Sequence, residues 1–340
     1  MNQTENGVET AVNLVEVHNL KKWFAVQSGF LERIMAGHVD HVRAVDGVTF
    51  NIRRGEVFGL AGESGSGKST IGRLILRLEK PTEGEVIFDG IDLAQIGDEE
   101  MRRMRRRMQV IFQDPMASLN PRMTIGQAIA HPLQVHFPDE ANHRDAVMDI
   151  LEKVGLTPPQ FFYDKFPHQI SGGQRQRVVI ARALVTRPDL VLADEPIAMA
   201  DVSVRALLLD LMLRLKQELN LTYLFITHDL ATAKYICDRI GILYLGRFAE
   251  VGALREVYAY PLHPYTQALL AAVPVPNPHD RREQAMPKGE IPDAINPPSG
   301  CRFHPRCPIA RLDHCSREEP PLRELRPGHL VACHYAEDFL

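Results

Sequence analysis

The run Gly62-Glu63-Ser64-Gly65-Ser66-Gly67-Lys68-Ser69 follows the spacing G-x-x-x-x-G-K-[ST]. Average composition produces such a match in roughly one chain in a hundred. Here a strand-like run, Gly55 to Ala61, leads into it and helical spacing follows from Thr70 to Leu78. A glycine-rich loop and the N-terminus of the next helix can aim several N–H groups at phosphate oxygens. In that arrangement Gly62, Ser64, Gly65, Gly67 and Thr70 belong to the cradle. Lys68 reaches the β- and γ-phosphates of a nucleotide, and Ser69 holds Mg²⁺.

Two further stretches fit the same chemistry. Asp194-Glu195 ends the apolar run Leu190-Val191-Leu192-Ala193. Ligands of open α/β sheets bind at the carboxyl ends of the strands, so Asp194 is placed for the metal and Glu195 for polarising a water. Ser171-Gly172-Gly173-Gln174 opens an apolar helical stretch, Val178 to Leu184. Taken alone that is an ordinary helix cap, although two glycines also let backbone approach an anion.

Cysteine placement is the remaining chemical signal. Cys301, Cys307, Cys315 and Cys333 fall in the last 40 residues and only Cys237 lies elsewhere, an arrangement expected by chance about once in a thousand chains. In a reducing compartment metal binding is a better default than disulfides. The spacing C-x5-C-x7-C-x17-C is loose for structural zinc, and four thiolates suit a [4Fe–4S] cluster. Zinc and a metal-free, reduced tail are the alternatives. Cys237 reads as a plain buried thiol.

The elements that must position these residues are legible in outline. Residues 14–20 and 42–60 read as strands, with Arg54-Gly55-Glu56 as a turn, and Glu85–Phe88 with Asp89-Gly90 suggests an edge hairpin. Charge crowds Asp98 to Arg107, which reads as a solvated helix flank, and 114–177 is rich in helical patterns. Leu190–Ala193 and Tyr223–Thr227 read as buried strands. Between them Ser203–Leu219 carries an apolar face of Leu207, Leu208, Leu211 and Leu215. Strands alternating with helices predict an α/β fold with a parallel sheet. Prolines spaced through 261–298 predict a linker or extended arm before the cysteine-bearing tail.

Composition sets outer bounds. A chain of 340 residues, 45% hydrophobic and 24% charged, is ordinary for a globular protein and long enough for two domains. Thirty-nine Lys plus Arg against 43 Asp plus Glu leaves a net charge of −4, which offers no basic field for nucleic acid. No apolar run approaches the ~18 residues needed to cross a bilayer. The opening residues, Met1 to Asn6, lack the order of a secretory signal. A cytosolic chain that docks on a membrane protein is the expectation.

Five motifs in order (the 62–69 loop, Val110-Ile111-Phe112-Gln113-Asp114-Pro115, Ser171–Gln174, Leu190–Asp194 and Thr227-His228-Asp229) make the chain similar to the ATP-binding subunits of ATP-binding-cassette (ABC) transporters. Phe112 through Arg122, the segment His263-Pro264-Tyr265-Thr266-Gln267-Ala268-Leu269-Leu270 and the cysteine tail make it resemble the oligopeptide and dipeptide importers, most closely the second of their paired ATPases.

The resemblance implies a P-loop NTPase (RecA-like) α/β core with an antiparallel β edge and an inserted helical subdomain at about 114–177. A nucleotide-binding domain would span 1–260, and a C-terminal extension 261–340. It implies ATP and Mg²⁺ as ligands, and ATP hydrolysis with Glu195 as general base and His228 on the γ-phosphate. Gln113 would sense metal and water, making Ser69, Gln113 and Asp194 the magnesium set. Ser171, Gly172, Gly173 and Gln174 would meet a nucleotide held by a second ATPase subunit. Phe24 is the candidate for stacking on adenine, with Trp23 the adjacent competitor. Some relatives carry a [4Fe–4S] cluster at the four tail cysteines, the same reading as above. The implied partners are a second ATP-binding subunit, two transmembrane permease subunits and an extracytoplasmic solute-binding protein. The implied location is the cytoplasmic face of the membrane. The same motor serves oligosaccharide, nickel or glutathione import in related systems. A soluble cassette protein acting on ribosomes or DNA is the rival reading. The stretch Ile197-Ala198-Met199-Ala200-Asp201 departs from the family pattern, with Ala198 where a Ser is usual.

Overall fold

The computed structural model describes residues 12–26, 40–140, 142–273 and 289–340. Two long strands, β1 (Asn13–Ala25) and β2 (His41–Arg53), pair antiparallel, and the turn at Arg54-Gly55 leads into β3 (Val57–Ala61). The glycine loop follows, then helix α1 (Lys68–Ile75) and the hairpin β4 (Glu83–Phe88) and β5 (Ile91–Asp92). Helix α2 (Asp98–Arg107) buries Met101 and Met104 while Arg102, Arg103 and Arg106 lie toward solvent, the flank that its composition predicts, and Arg105 and Arg107 are half-buried against Arg77 O and against Asp89 and Asp189.

Beyond β6 (Met108–Ile111) the chain is helical, with α3 (Ile125–His136), α4 (Arg144–Lys153) and α5 (Gly172–Leu184). Then come β7 (Leu190–Asp194), α6 (Val202–Leu219), β8 (Thr222–Thr227), α7 (Leu230–Ile236), β9 (Arg239–Tyr244) and β10 (Arg247–Ala253).

A sheet ordered β11 (Arg323–Arg326), β12 (His329–Val331), β10, β9, β3, β8, β7 and β6 forms the centre, and a second sheet ordered β2-β1-β4-β5 forms the antiparallel edge layer. Strands β9, β3, β8, β7 and β6 run parallel, and the remaining neighbours are antiparallel. The short β11 and β12 come from the C-terminal region and extend the central sheet. This is the RecA-like α/β core with inserted helices.

The two-residue period of a strand divides the core. Val57, Val191, Ala193, Tyr223, Phe225, Ile240 and Ile242 join the helices of 125–184 on one face. The alternate residues Phe58, Leu60, Leu190, Leu192, Leu224 and Ile226 pack on α1, α2 and the antiparallel layer. Strands buried on both faces read as unbroken apolar runs, which is why β7 and β8 are evident in the sequence.

Two expectations change. On α6 the buried set is Leu208, Leu209, Leu211, Met212 and Leu215, while Leu207 is 58% exposed. An i, i+3, i+4 stripe through 208, 211, 212 and 215 leaves 207 on the outer side. The predicted arm at 261–298 lies partly outside the described residues. Within them it holds a helix, α8 (Pro264–Ala271), started by Pro264 at its first turn and by His263 Nδ1, which accepts the Tyr265 N–H at 3.0 Å. No helix among the described residues is long and apolar enough to cross a membrane.

Candidate functional site

Parallel register brings the sequence-distant motifs to one edge. Ala61 faces Thr227, Asp194 faces Ile226 and Ile111 faces Ala193 across neighbouring strands. The residues just past those positions therefore meet at the carboxyl ends of β3, β6, β7 and β8: the glycine loop, Gln113, Asp194-Glu195 and His228. That edge is where an open α/β sheet binds ligands.

The loop is folded on its own lysine. Lys68 Nζ donates to Gly62 O at 2.8 Å and to Glu63 O at 2.9 Å. Burial pulls the Lys68 pKa down, opposed by the nearby Glu195, Asp194 and Glu63 carboxylates. Gly67 stands at the helix N-cap with φ 105°, a left-handed conformation, and α1 has no side-chain cap, so its first N–H groups remain open to an anion. A side chain at Gly67 would drive its Cβ to 2.2 Å from Ala44 O. Ser64 and Gly65 form the exposed rim of the loop, and Thr70 sits in the first turn of α1 beside Ser69.

Ser69 Oγ donates to Asp194 Oδ1 at 3.1 Å. Burial raises the Asp194 pKa, offset by that Ser69 hydrogen bond. Glu195 is the pivot of the cluster. Its backbone is left-handed, φ 48°, an unusual conformation for a residue with a side chain, and its N–H donates to Ile226 O at 3.0 Å. The carboxylate accepts from Gln113 Nε2 at 3.0 Å on one oxygen and lies 2.9 Å from His228 Nδ1 on the other. Side-chain exposure of 60% for His228 against 18% for Glu195 leaves the imidazole open to an incoming ligand and the carboxylate partly sheltered. A cavity of about 50 Å³ lies between Glu195 and Thr227-His228-Asp229.

Ser171 to Gln174 contact one another. The Ser171 hydroxyl accepts the Gln174 N–H at 3.3 Å, and Gln174 Oε1 accepts the Ser171 N–H at 2.9 Å, a reciprocal capping box at the start of α5. Ser171 and Gly172 are exposed, with Gly173 half-buried beside Val204. Phe24 stands near the end of β1, 38% exposed, with Lys22 Nζ 4.9 Å from its ring centre. Trp23 is tied inward, its Nε1–H donating to Asp46 Oδ1 at 3.0 Å, which leaves Phe24 the more available face.

The cysteine tail needs correction. Cys301, Cys307, Cys315 and Cys333 line a common cavity, but its volume is about 10 Å³, roughly the room of one water. Among the described residues no group of three or more His, Cys, Asp or Glu is arranged to hold a metal ion. Burial pushes the Cys301, Cys307 and Cys333 thiols up to about 11. The expected [4Fe–4S] cluster at these four residues is thereby overturned. Cys237 is buried, as its sequence context predicts.

Sequence spacing does not reveal a set of residues behind the loop. Tyr265 Oη accepts the Glu63 N–H at 2.9 Å, and Arg306 forks onto the Glu63 carboxylate at 2.8 and 3.2 Å. These partners lie 202 and 243 positions from Glu63, and no local pattern signals the contact.

Residues 45–198 match the ABC transporter family and 249–315 match the oligopeptide/dipeptide transporter C-terminal region. The oligopeptide transport ATP-binding protein AppF of Bacillus subtilis is 46% identical over 332 residues, 96% of this chain and 99% of that protein. A putative peptide import ATP-binding protein of Brucella ovis is 49% identical over 325 residues, 95% of this chain and 98% of its own length. Among solved structures, a dimeric ATP-binding cassette in a post-hydrolysis state with ADP and phosphate superposes with a TM-score of 0.61. Its identity is 32%, over 71% of this chain and 99% of that one. With the phosphate loop, the acidic strand end and the histidine gathered on one sheet edge, the chain belongs to the ATP-binding subunits of ABC transporters, in the family of oligopeptide importers.

Proposed function

We propose that the chain is the ATP-hydrolysing subunit of an ABC importer of di- and oligopeptides, working at the cytoplasmic face of a membrane. The observation that carries the catalytic part is the linked cluster Gln113–Glu195–His228 beside Ser69–Asp194, directly over the phosphate loop.

Lys68 exchanges the Gly62 and Glu63 carbonyls for the β- and γ-phosphates of ATP, joined by Ser64, Gly65, Gly67 and Thr70 on the loop and helix start. Ser69 and Asp194 present two oxygens of the kind Mg²⁺ takes alongside phosphates and water, and Gln113 supplies a third nearby. Held by Ser69, Asp194 and Gln113, Mg²⁺ would supply charge neutralisation for the phosphates. Glu195 accepts the proton of the attacking water, and His228 bonds the γ-phosphate from its exposed side. Phe24 stacks on the adenine. Ser171, Gly172, Gly173 and Gln174 reach the nucleotide of a second ATP-binding subunit, since a capped helix start on the outside of the chain is free to dock on another surface. Residues 1–260 serve as the nucleotide-binding domain and 261–340 as the importer-type extension.

Peptide cargo is supported by the names of the relatives and by the match at 249–315. The partners are a second ATP-binding subunit, two permease subunits and a solute-binding protein. Purifying the tagged chain in mild detergent and identifying co-purified proteins by mass spectrometry tests this. Permease subunits, a second ATPase and a solute-binding protein are expected. Recovery of ribosomal or other non-membrane partners alone would overturn the transport reading.

A further inference from the structure

The solved cassette spans 71% of this chain and 99% of its own length, so this chain carries more than that cassette contains. Residues from the C-terminal region reach back onto the nucleotide edge at two points. At the phosphate end, every polar atom of Glu63 is engaged. Its carbonyl accepts from Lys68 Nζ at 2.9 Å and from the Ser66 N–H at 3.2 Å. Its N–H donates to Tyr265 Oη at 2.9 Å, and its carboxylate takes both arms of Arg306. At the base end, the buried Arg302 donates to Asp46 and to Leu245 O, and Asp46 accepts from Trp23 Nε1, next to Phe24. The two grips are joined: Gly246 N–H donates to Ser66 O at 2.9 Å, and Asp46 N–H donates to Gly246 O at 2.9 Å.

We propose that Arg306 and Tyr265 are positioning residues for the phosphate loop, holding Glu63 from behind so that the C-terminal extension sets the affinity of the site for ATP. The inference rests on reading that loop as the ATP site. In the structure Lys68 is bound to the loop's own carbonyls, and it must leave them to meet phosphate. When it leaves, the Glu63 carbonyl loses its cation, and the residue stays in place through its N–H and carboxylate partners. Arg306 also neutralises a carboxylate that would otherwise sit, unpaired, in a loop receiving a polyanion. A forked guanidinium does this with fixed geometry, which a lysine at 306 reproduces only in charge. Neither residue touches the reacting atoms, so the effect falls on binding rather than on turnover.

The test is ATP binding by the full chain and steady-state hydrolysis by the chain assembled with its second ATP-binding subunit, with thermal unfolding followed in parallel. Arg306→Ala is expected to weaken ATP binding and raise KM about tenfold with kcat within twofold, and Arg306→Lys to recover part of that loss. Tyr265→Phe, which removes one hydroxyl and keeps the packing, is expected to raise KM about threefold. In a Glu63→Gln background the Arg306→Ala effect is expected to shrink to threefold or less, because the charge to be neutralised is gone. If wild type fails to bind ATP, the nucleotide reading itself falls. If wild type binds and both Arg306→Ala and Tyr265→Phe keep its KM, or lose kcat at constant KM, the positioning role is overturned.

Discussion

Helices α1 and α5 both start on glycine-bearing turns, and the two starts are built in opposite ways. Helix α1 begins at a left-handed Gly67 packed on the Ala44 carbonyl, with no side chain closing its first turn. Helix α5 begins at Ser171, where a reciprocal Ser171–Gln174 box closes two donors, and Gly172 has no atom nearer than 3.9 Å to where a Cβ would stand. The first start is incomplete without an anion and its glycine is demanded by the chain's own backbone. The second closes two of its donors by itself, and its Gly172 answers to nothing within the chain. A glycine that the fold does not require points to close approach by something outside, which fits a nucleotide presented by a second subunit.

Substitutions can break or sharpen that contrast. The largest effect is expected for Gly67→Ala. The added Cβ meets backbone at 2.2 Å in a left-handed conformation, so the loop must shift, and ATP binding by titration is expected to be lost. Retained affinity would show that the loop does not need this packing. Next comes Ser171→Ala, which removes a cap and is expected to cost about 1 kcal/mol of stability by denaturant unfolding. ATP binding by the single chain should remain within twofold of wild type. Smallest in stability is Gly172→Ala, expected to be neutral or to raise stability by about 0.5 kcal/mol, because a helix position gains an ordinary residue. Hydrolysis in the assembled pair is nonetheless expected to fall tenfold or more. A fully active Gly172→Ala pair would remove the reason for assigning that glycine to an external contact.

The legibility of these features in the sequence follows from how local their causes are. Strands β7 and β8 are evident because burial on both faces demands unbroken apolar runs, and the phosphate loop is evident because strand, glycines and helix are consecutive. Leu207 misleads because 207, 211, 215 and 208, 211, 215 satisfy helical spacing equally well, and only packing chooses between them. Strands β11 and β12 escape notice because Arg323-Glu324-Leu325-Arg326 is short and polar, and its pairing depends on β12 lying beside β10. The four tail cysteines show the limit of residue type: spacing brings them to one cavity, but not to one that admits a cluster. Arg306 and Tyr265 are invisible for the opposite reason. Their roles come from contacts to Glu63 that exist only once the C-terminal region has folded against the loop.

The most direct measurement is hydrolysis and ATP binding by Glu195→Gln in parallel with wild type. The substitution keeps the shape beside Gln113 and His228 while removing the proton acceptor. Turnover is expected to fall by about 100-fold or more, with ATP affinity within threefold of wild type. Turnover near the wild-type rate would remove Glu195 from the role of general base and contradict the strand-end site as the centre of hydrolysis.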